Sequence, residues 1–169
     1  MLAPEQQVVG GPDDRPAPRP VEPIVLGATV PGTVDTAYDL FTDAFGRWWS
    51  TGAAGFDGPT AARVEFGGGA GDPVVAVDED RHRRRWGVVV DAARPYRLAF
   101  EWHPDDDPVA ATEVDVRFRP VGPTTTEVVV REAGPPLRDP ARREMTRKRW
   151  DRALDFFVAE VRAAVLPAR

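Results

Sequence analysis

Two stretches of the chain alternate strictly between apolar and polar positions. In YRLAFEWH (96–103), Tyr96, Leu98, Phe100 and Trp102 alternate with Arg97, Ala99, Glu101 and His103. In TEVDVRFRP (112–120), Val114, Val116 and Phe118 alternate with Glu113, Asp115, Arg117 and Arg119. A period of two marks antiparallel strands with one face covered and one wet. TTEVVVRE (125–132) follows a Gly-Pro turn with the same habit. IVLGATV (24–30), ARVEF (62–66), PVVAVDED (73–80) and RHRRRWGVVVD (81–91) are strand-like as well. Turn signals separate successive strands, so a meander is the simplest topology.

The period changes to helical in two places. After a Pro-Gly turn, Thr33 is a good N-cap for VDTAYDLFTDAF, in which Val34, Ala37, Phe41 and Phe45 share a face. Gly46 is expected to end that helix, with RWWST as a short second turn. At the C-terminal end, Asp139 caps and Pro140 opens a long helix to Leu166. Trp150, Leu154, Phe157, Val161 and Val165 form its apolar stripe.

Composition adds mainly exclusions. At 169 residues the chain is sized for one domain with a real core. A net charge of −5 gives no general attraction to nucleic acid or an anionic membrane. No apolar run reaches the ~20 residues a membrane helix requires. The N-terminus lacks a charged-then-apolar signal pattern, which points to a cytoplasmic protein. Absence of cysteine removes disulfides and thiol chemistry, and two histidines are too few for a triple-histidine metal site. Twenty-one Arg against one Lys, with a single Ile and no Asn, reads as codon bias of a GC-rich, bacterial genome. No metal or cofactor is expected. Residues 1–22, with five prolines and Gly10-Gly11, read as a disordered tail ahead of a domain spanning 23–169. GGGAGD (67–72) lacks the ending and context of a phosphate loop, and Asp105, Asp106 and Asp107 lack the spacing of a calcium loop.

The segments VPGTVDTAYDLFTDAFGRWW, FGGG, WGVVVDAARPYRLAFEW, TEVDVRFRPVGPTTTEVVVREAG and WDRALDFFVAEV, in this order, resemble the SRPBCC (START-like, helix-grip) superfamily. Within it they are most similar to bacterial single-domain homologues of the C-terminal domain of the heat-shock ATPase activator. The resemblance implies an α+β helix-grip fold: six to seven antiparallel strands curved around the last helix, with two short helices after the first strand. It also implies an apolar cavity that binds a lipid, polyketide or other aromatic molecule. Polyketide cyclases and aromatases of the same superfamily offer an enzymatic alternative, and the activator homology a protein-interaction one. No catalytic signature is among the matching segments.

The candidate cavity wall comes from the inward strand positions: Trp86, Val88 and Val90 on one strand, Leu98, Phe100 and Trp102 on the next, Val114, Val116 and Phe118 beyond. The facing stripe supplies Trp150, Leu154 and Phe157. Trp48 and Trp49 are adjacent, so both are structural seals or one of them lines the ligand. Glu132 shares phase with Val128 and Val130, and His82 and Arg84 share phase with Trp86. A Glu and an Arg or His meeting at one end of the pocket would orient a polar head or exchange protons. His103 falls on the opposite phase, toward solvent. The basic cluster RREMTRKR (142–149) reads as a solvated face. Oligomeric state leaves no trace in the pattern.

Overall fold

The computed structural model describes residues 19–53, 61–104 and 107–166, the side chains of 51–53 excepted. Most of the Pro-rich tail, the Gly/Ala loop at 54–60, and Asp105 and Asp106 of the acidic turn lie outside the described residues. The elements run β1 (Ile24–Pro31), α1 (Val34–Asp43), α2 (Phe45–Ala53), β2 (Arg63–Phe66), β3 (Pro73–Val77), β4 (Arg83–Ala93), β5 (Arg97–Trp102), β6 (Thr112–Gly122), β7 (Thr125–Ala133) and α3 (Pro140–Val165). Single turns of 3-10 helix at Pro108–Ala110 and Pro135–Arg138 precede β6 and α3.

All seven strands form one antiparallel sheet, ordered β1-β7-β6-β5-β4-β3-β2. Strands β2 to β7 are the expected meander. β1 then pairs with β7 along its length, from Ile24 opposite Glu132 to Pro31 opposite Thr125. Helices α1 and α2 carry the chain from one edge of the sheet to the other, and α3 packs against α2 and β1. The caps are those the sequence announces. Thr33 Oγ1 accepts from the Thr36 amide at 3.3 Å, and Asp139 Oδ1 from that of Ala141 at 3.0 Å, with Pro140 in the first turn.

Gly46 has another role than the one expected of it. The chain bends at Ala44, and Gly46 lies inside the first turn of α2. A Cβ there would stand 2.7 Å from the Arg63 Cα. The glycine lets α2 lie directly on β2.

β4 departs from alternation for a physical reason. Val74 pairs with Gly87 and Val75 with Arg85, leaving Trp86 as an extra residue toward β3. On its other side Val89 faces Phe100 and Asp91 faces Ala99, leaving Val90 extra. Each bulge shifts the phase by one residue. Val88 and Val90 therefore do not share the face of Trp86. Val88 is half-buried opposite Glu101 on the outer side, Val90 is exposed, and Val89 takes the inward place. Tyr96 precedes β5 and is exposed.

Elsewhere the inward positions hold, and the inner face is filled with rings. Phe41 meets Phe157 at 5.4 Å between centroids and Trp48 meets Phe157 at 5.2 Å. Phe66 meets Phe100 at 5.1 Å, and Phe45 meets Trp102 at 5.7 Å. Most of these pairs are tilted or edge-to-face, the arrangement that ring quadrupoles favour.

A polar-floored pocket at the end of the sheet–helix interface

The sequence predicts a cavity between sheet and last helix, walled by Trp86, Phe100 and Phe157 among others. Packed rings occupy that space. Open volume of about 360 Å³ lies instead at one end of the interface, where β5, β6 and β7 meet the first turns of α3 and the flank of α2. The sheet contributes Trp102, His103, Thr112 and Glu132, and α2 contributes Trp49. From α3 come Arg142, Met145, Thr146 and Arg149.

The two adjacent tryptophans are both buried because α2 lies between the sheet and α3. Trp48 belongs to the core and donates from its indole Nε1 to the Phe41 carbonyl at 3.3 Å. Trp49 stacks on Phe45 and touches Trp102 and Trp150 before reaching the pocket wall. One is thus a plug and the other a wall.

Glu132 is the chemical centre of the pocket. Its phase on β7 points it inward, and only 4% of it is exposed. Thr112 Oγ1 donates to its Oε1 at 2.6 Å, and Trp150 Nε1 donates to its Oε2 at 2.5 Å. Burial pushes the carboxyl above the ordinary glutamate value, against the opposing pull of those two hydrogen bonds and of the Arg149 and Arg142 charges. Thr112 also has the Trp102 carbonyl within 3.4 Å. Its single proton can turn there when the Glu132 carboxyl is protonated and donates in its place, so the network accommodates both charge states. A buried carboxyl of this kind can hold a polar group of a ligand or take up and return a proton.

Of the residues singled out from the sequence, Trp49, Trp102 and Glu132 line this pocket. Trp150 stands behind Glu132 as its donor. Trp48, Trp86, Phe100, Val116, Phe118, Leu154 and Phe157 are in the packed core, and Val88 is on the outer side of the sheet. His82 and Arg84 do not meet Glu132. His82 is exposed and bonds Asp78 at 3.1 Å, and Arg84 is exposed at the start of β4. A Glu, an Arg and a His do converge, but the partners are Arg149 and His103. His103 was expected to face solvent. Because β5 ends at Trp102, alternation stops there, and the His103 amide turns in to the Trp86 carbonyl at 2.7 Å with the side chain buried. Arg149, Met145, Thr146 and Arg142 were hidden in a basic cluster. They continue the inward face of α3 at spacings of three and four, masked by the arginines around them.

Among the described residues no group of three or more His, Asp or Glu side chains is placed to hold a metal ion. No described helix is long and apolar enough to cross a membrane.

A curled antiparallel sheet gripping one long helix, with two short helices closing the crossover, defines a helix-grip protein of the SRPBCC class. Residues 32–162 match the family model of Activator of Hsp90 ATPase homolog 1-like proteins, and the chain belongs to that family. Among solved structures it is similar to an AHSA1-like protein from Aeromonas hydrophila: 20% identity, TM-score 0.61, covering 87% of this chain and 96% of that one. It is also similar to CalU16 from Micromonospora echinospora, at 18% identity and TM-score 0.57, covering 86% of this chain and 77% of that one. An anthrahydroquino-gamma-pyrone synthase, Txn09, aligns at 21% identity and TM-score 0.52, covering 86% of this chain and all of that one (100%). At such identities these likenesses show the shared fold. Comparison with curated proteins returns no match.

Proposed function

We propose that the chain binds a small, mainly apolar molecule in the pocket at the end of the sheet–helix interface. The observation that carries this reading is the buried Glu132 carboxyl beside two indole walls and open volume. Pockets for small molecules are apolar surfaces with a few placed polar groups, commonly about 300–1,000 Å³ in size, and this one falls in that range. Burial of apolar ligand surface against Trp49, Trp102 and Met145 supplies affinity, and the polar floor sets orientation. Membership of the family and the likeness to a pyrone synthase support the same class of ligand. Native mass spectrometry of the freshly purified chain tests this. A discrete extra mass that leaves on denaturation, or adduct formation with small aromatic molecules that Trp49→Ala abolishes, is the expected result. A chain that stays at its own mass through such a panel contradicts it.

One observation favours a second reading, catalysis. A carboxyl held above its ordinary pKa beside a pocket is what general acid–base chemistry requires. Under that reading Glu132→Gln abolishes turnover of a bound substrate while leaving its binding intact.

A further inference from the structure

We propose that the pocket admits its ligand polar end first and reads a neutral carbonyl oxygen, conjugated to an aromatic ring, through Arg149 and His103. This deepens the binding reading above and rests on it. Among the described residues three buried side-chain nitrogens have no hydrogen-bond partner: Trp86 Nε1, His103 Nδ1 and Arg149 Nε. Two of the three line the same pocket, though they come from the end of β5 and from α3. Buried polar atoms in native folds are nearly always bonded, so an unpartnered pair at one cavity marks where a partner docks. His103 is 7% exposed and Glu132 4%, so these groups form the floor, while Met145, 45% exposed, is at the mouth.

The chemistry of the pair narrows the partner. A guanidinium does not lose its proton, so Arg149 Nε–H only donates, and its partner must be an acceptor. The His103 imidazole can present its own Nδ1–H to the same oxygen. Glu132 does not serve as that acceptor: its oxygens receive Thr112 and Trp150, and neither makes a hydrogen bond with Arg149 Nε. Charge then separates a carbonyl from a carboxylate. Arg142 and Arg149 face the pocket together with Glu132, Asp107 and Asp139. Both aspartates hold helix caps, through Val109 N and Ala141 N. The two guanidinium charges are offset by the three carboxyl groups, so the pocket gives an anion no net attraction, whereas a neutral carbonyl oxygen needs none. The indoles of Trp49 and Trp102 meet at 82° with centroids 5.3 Å apart. They form a flat-sided corner suited to a planar ring, and the Met145 thioether adds an adaptable third side.

The test is isothermal titration calorimetry of the full chain with three probes on one ring skeleton: 1-acetylnaphthalene, 1-naphthoate and 1-ethylnaphthalene. The ketone should bind about tenfold or more tightly than the ethyl compound, the range for a hydrogen bond from a charged donor. It should also bind more tightly than the carboxylate. Arg149→Met should bring the ketone-to-ethyl ratio to about one. Arg149→Leu, which likewise removes every donor, should do the same and serves if the first variant does not fold. Equal binding of ketone and ethyl compound by the wild type overturns carbonyl recognition and leaves pocket binding standing. Tightest binding of the carboxylate overturns the neutral class. A ratio unchanged in the Arg149 variants overturns the role of Arg149. Binding of none of the probes overturns this inference and counts against the binding reading too.

Discussion

Two buried carboxyl groups, Asp115 on β6 and Glu132 on β7, lie one register row apart on opposite faces of the same sheet. Asp115 faces Arg131 across the ladder, and Glu132 faces Val114. They are 8% and 4% exposed. Their surroundings push them in opposite directions. Burial alone would raise Asp115, but Arg97 donates to it at 2.7 and 3.1 Å, Arg117 adds a bond at 3.4 Å, and together they bring it below the ordinary aspartate value. Arg97 is itself bridged to Asp91 at 2.5 Å. Glu132 has two neutral donors in place of an ion pair, and burial wins. The outer carboxylate is fully answered by charge and ties three strands together. The inner one is held incompletely neutralised beside open volume. That difference separates a structural acid from the acid of a candidate site.

Substitutions sharpen the contrast. Arg97→Ala should have the largest effect on stability, a loss of about 2 kcal/mol in urea unfolding, because it strands a buried charge; the partial exposure of Arg97 keeps the figure below that of a deep pair. Thr112→Val removes one donor from Glu132 and should cost about 1 kcal/mol while raising the carboxyl pKa further, readable by carboxyl carbon NMR. Glu132→Gln should change stability at neutral pH least, by about 0.5 kcal/mol, since an amide retains part of the network. Its signature lies in the pH profile. The folded pKa of Glu132 is raised, so its contribution is complete below the ordinary glutamate value and is lost as pH rises through the folded value. Glu132→Gln should flatten that limb of the stability curve. Asp115 acts in the opposite sense, with a contribution present above the ordinary aspartate value and lost as pH falls through its depressed one. Arg97→Ala should therefore weaken the acid limb and leave the Glu132 limb alone.

The fold was legible because its strongest signals are periodic. Alternation in β5, β6 and β7 and the stripe on α3 place Phe100, Val116, Glu132 and Phe157 on the inner face without any structure. The candidate site was legible only in its centre. The phase of Glu132 follows from Val128 and Val130, whereas the adjacency of Trp48 and Trp49 left open whether both are seals or one lines the pocket. What was not legible depends on local breaks in the period. The bulge at Trp86 exchanges the faces of Val88 and Val89, and a one-residue insertion in a strand has no composition of its own. The end of β5 after Trp102 turns His103 inward against its phase. Arg149 and Arg142 are concealed by a chain that uses arginine almost everywhere for its positive charge. The location of the pocket depended on ring volumes, since Phe41, Phe45, Phe66 and Trp48 fill the middle of the interface and leave room only where the side chains turn polar.

The five indoles provide the most direct measurement of the central claim, because they sample the core and the pocket separately. Titration of the 15N-labelled chain with 1-acetylnaphthalene should shift the indole signals of Trp49, Trp102 and the Glu132-bonded Trp150, and leave that of Trp48, fixed on the Phe41 carbonyl, in place. Movement of Trp48 with Trp49 and Trp102 unchanged, or no movement of any indole, would contradict a binding site at the end of the sheet–helix interface.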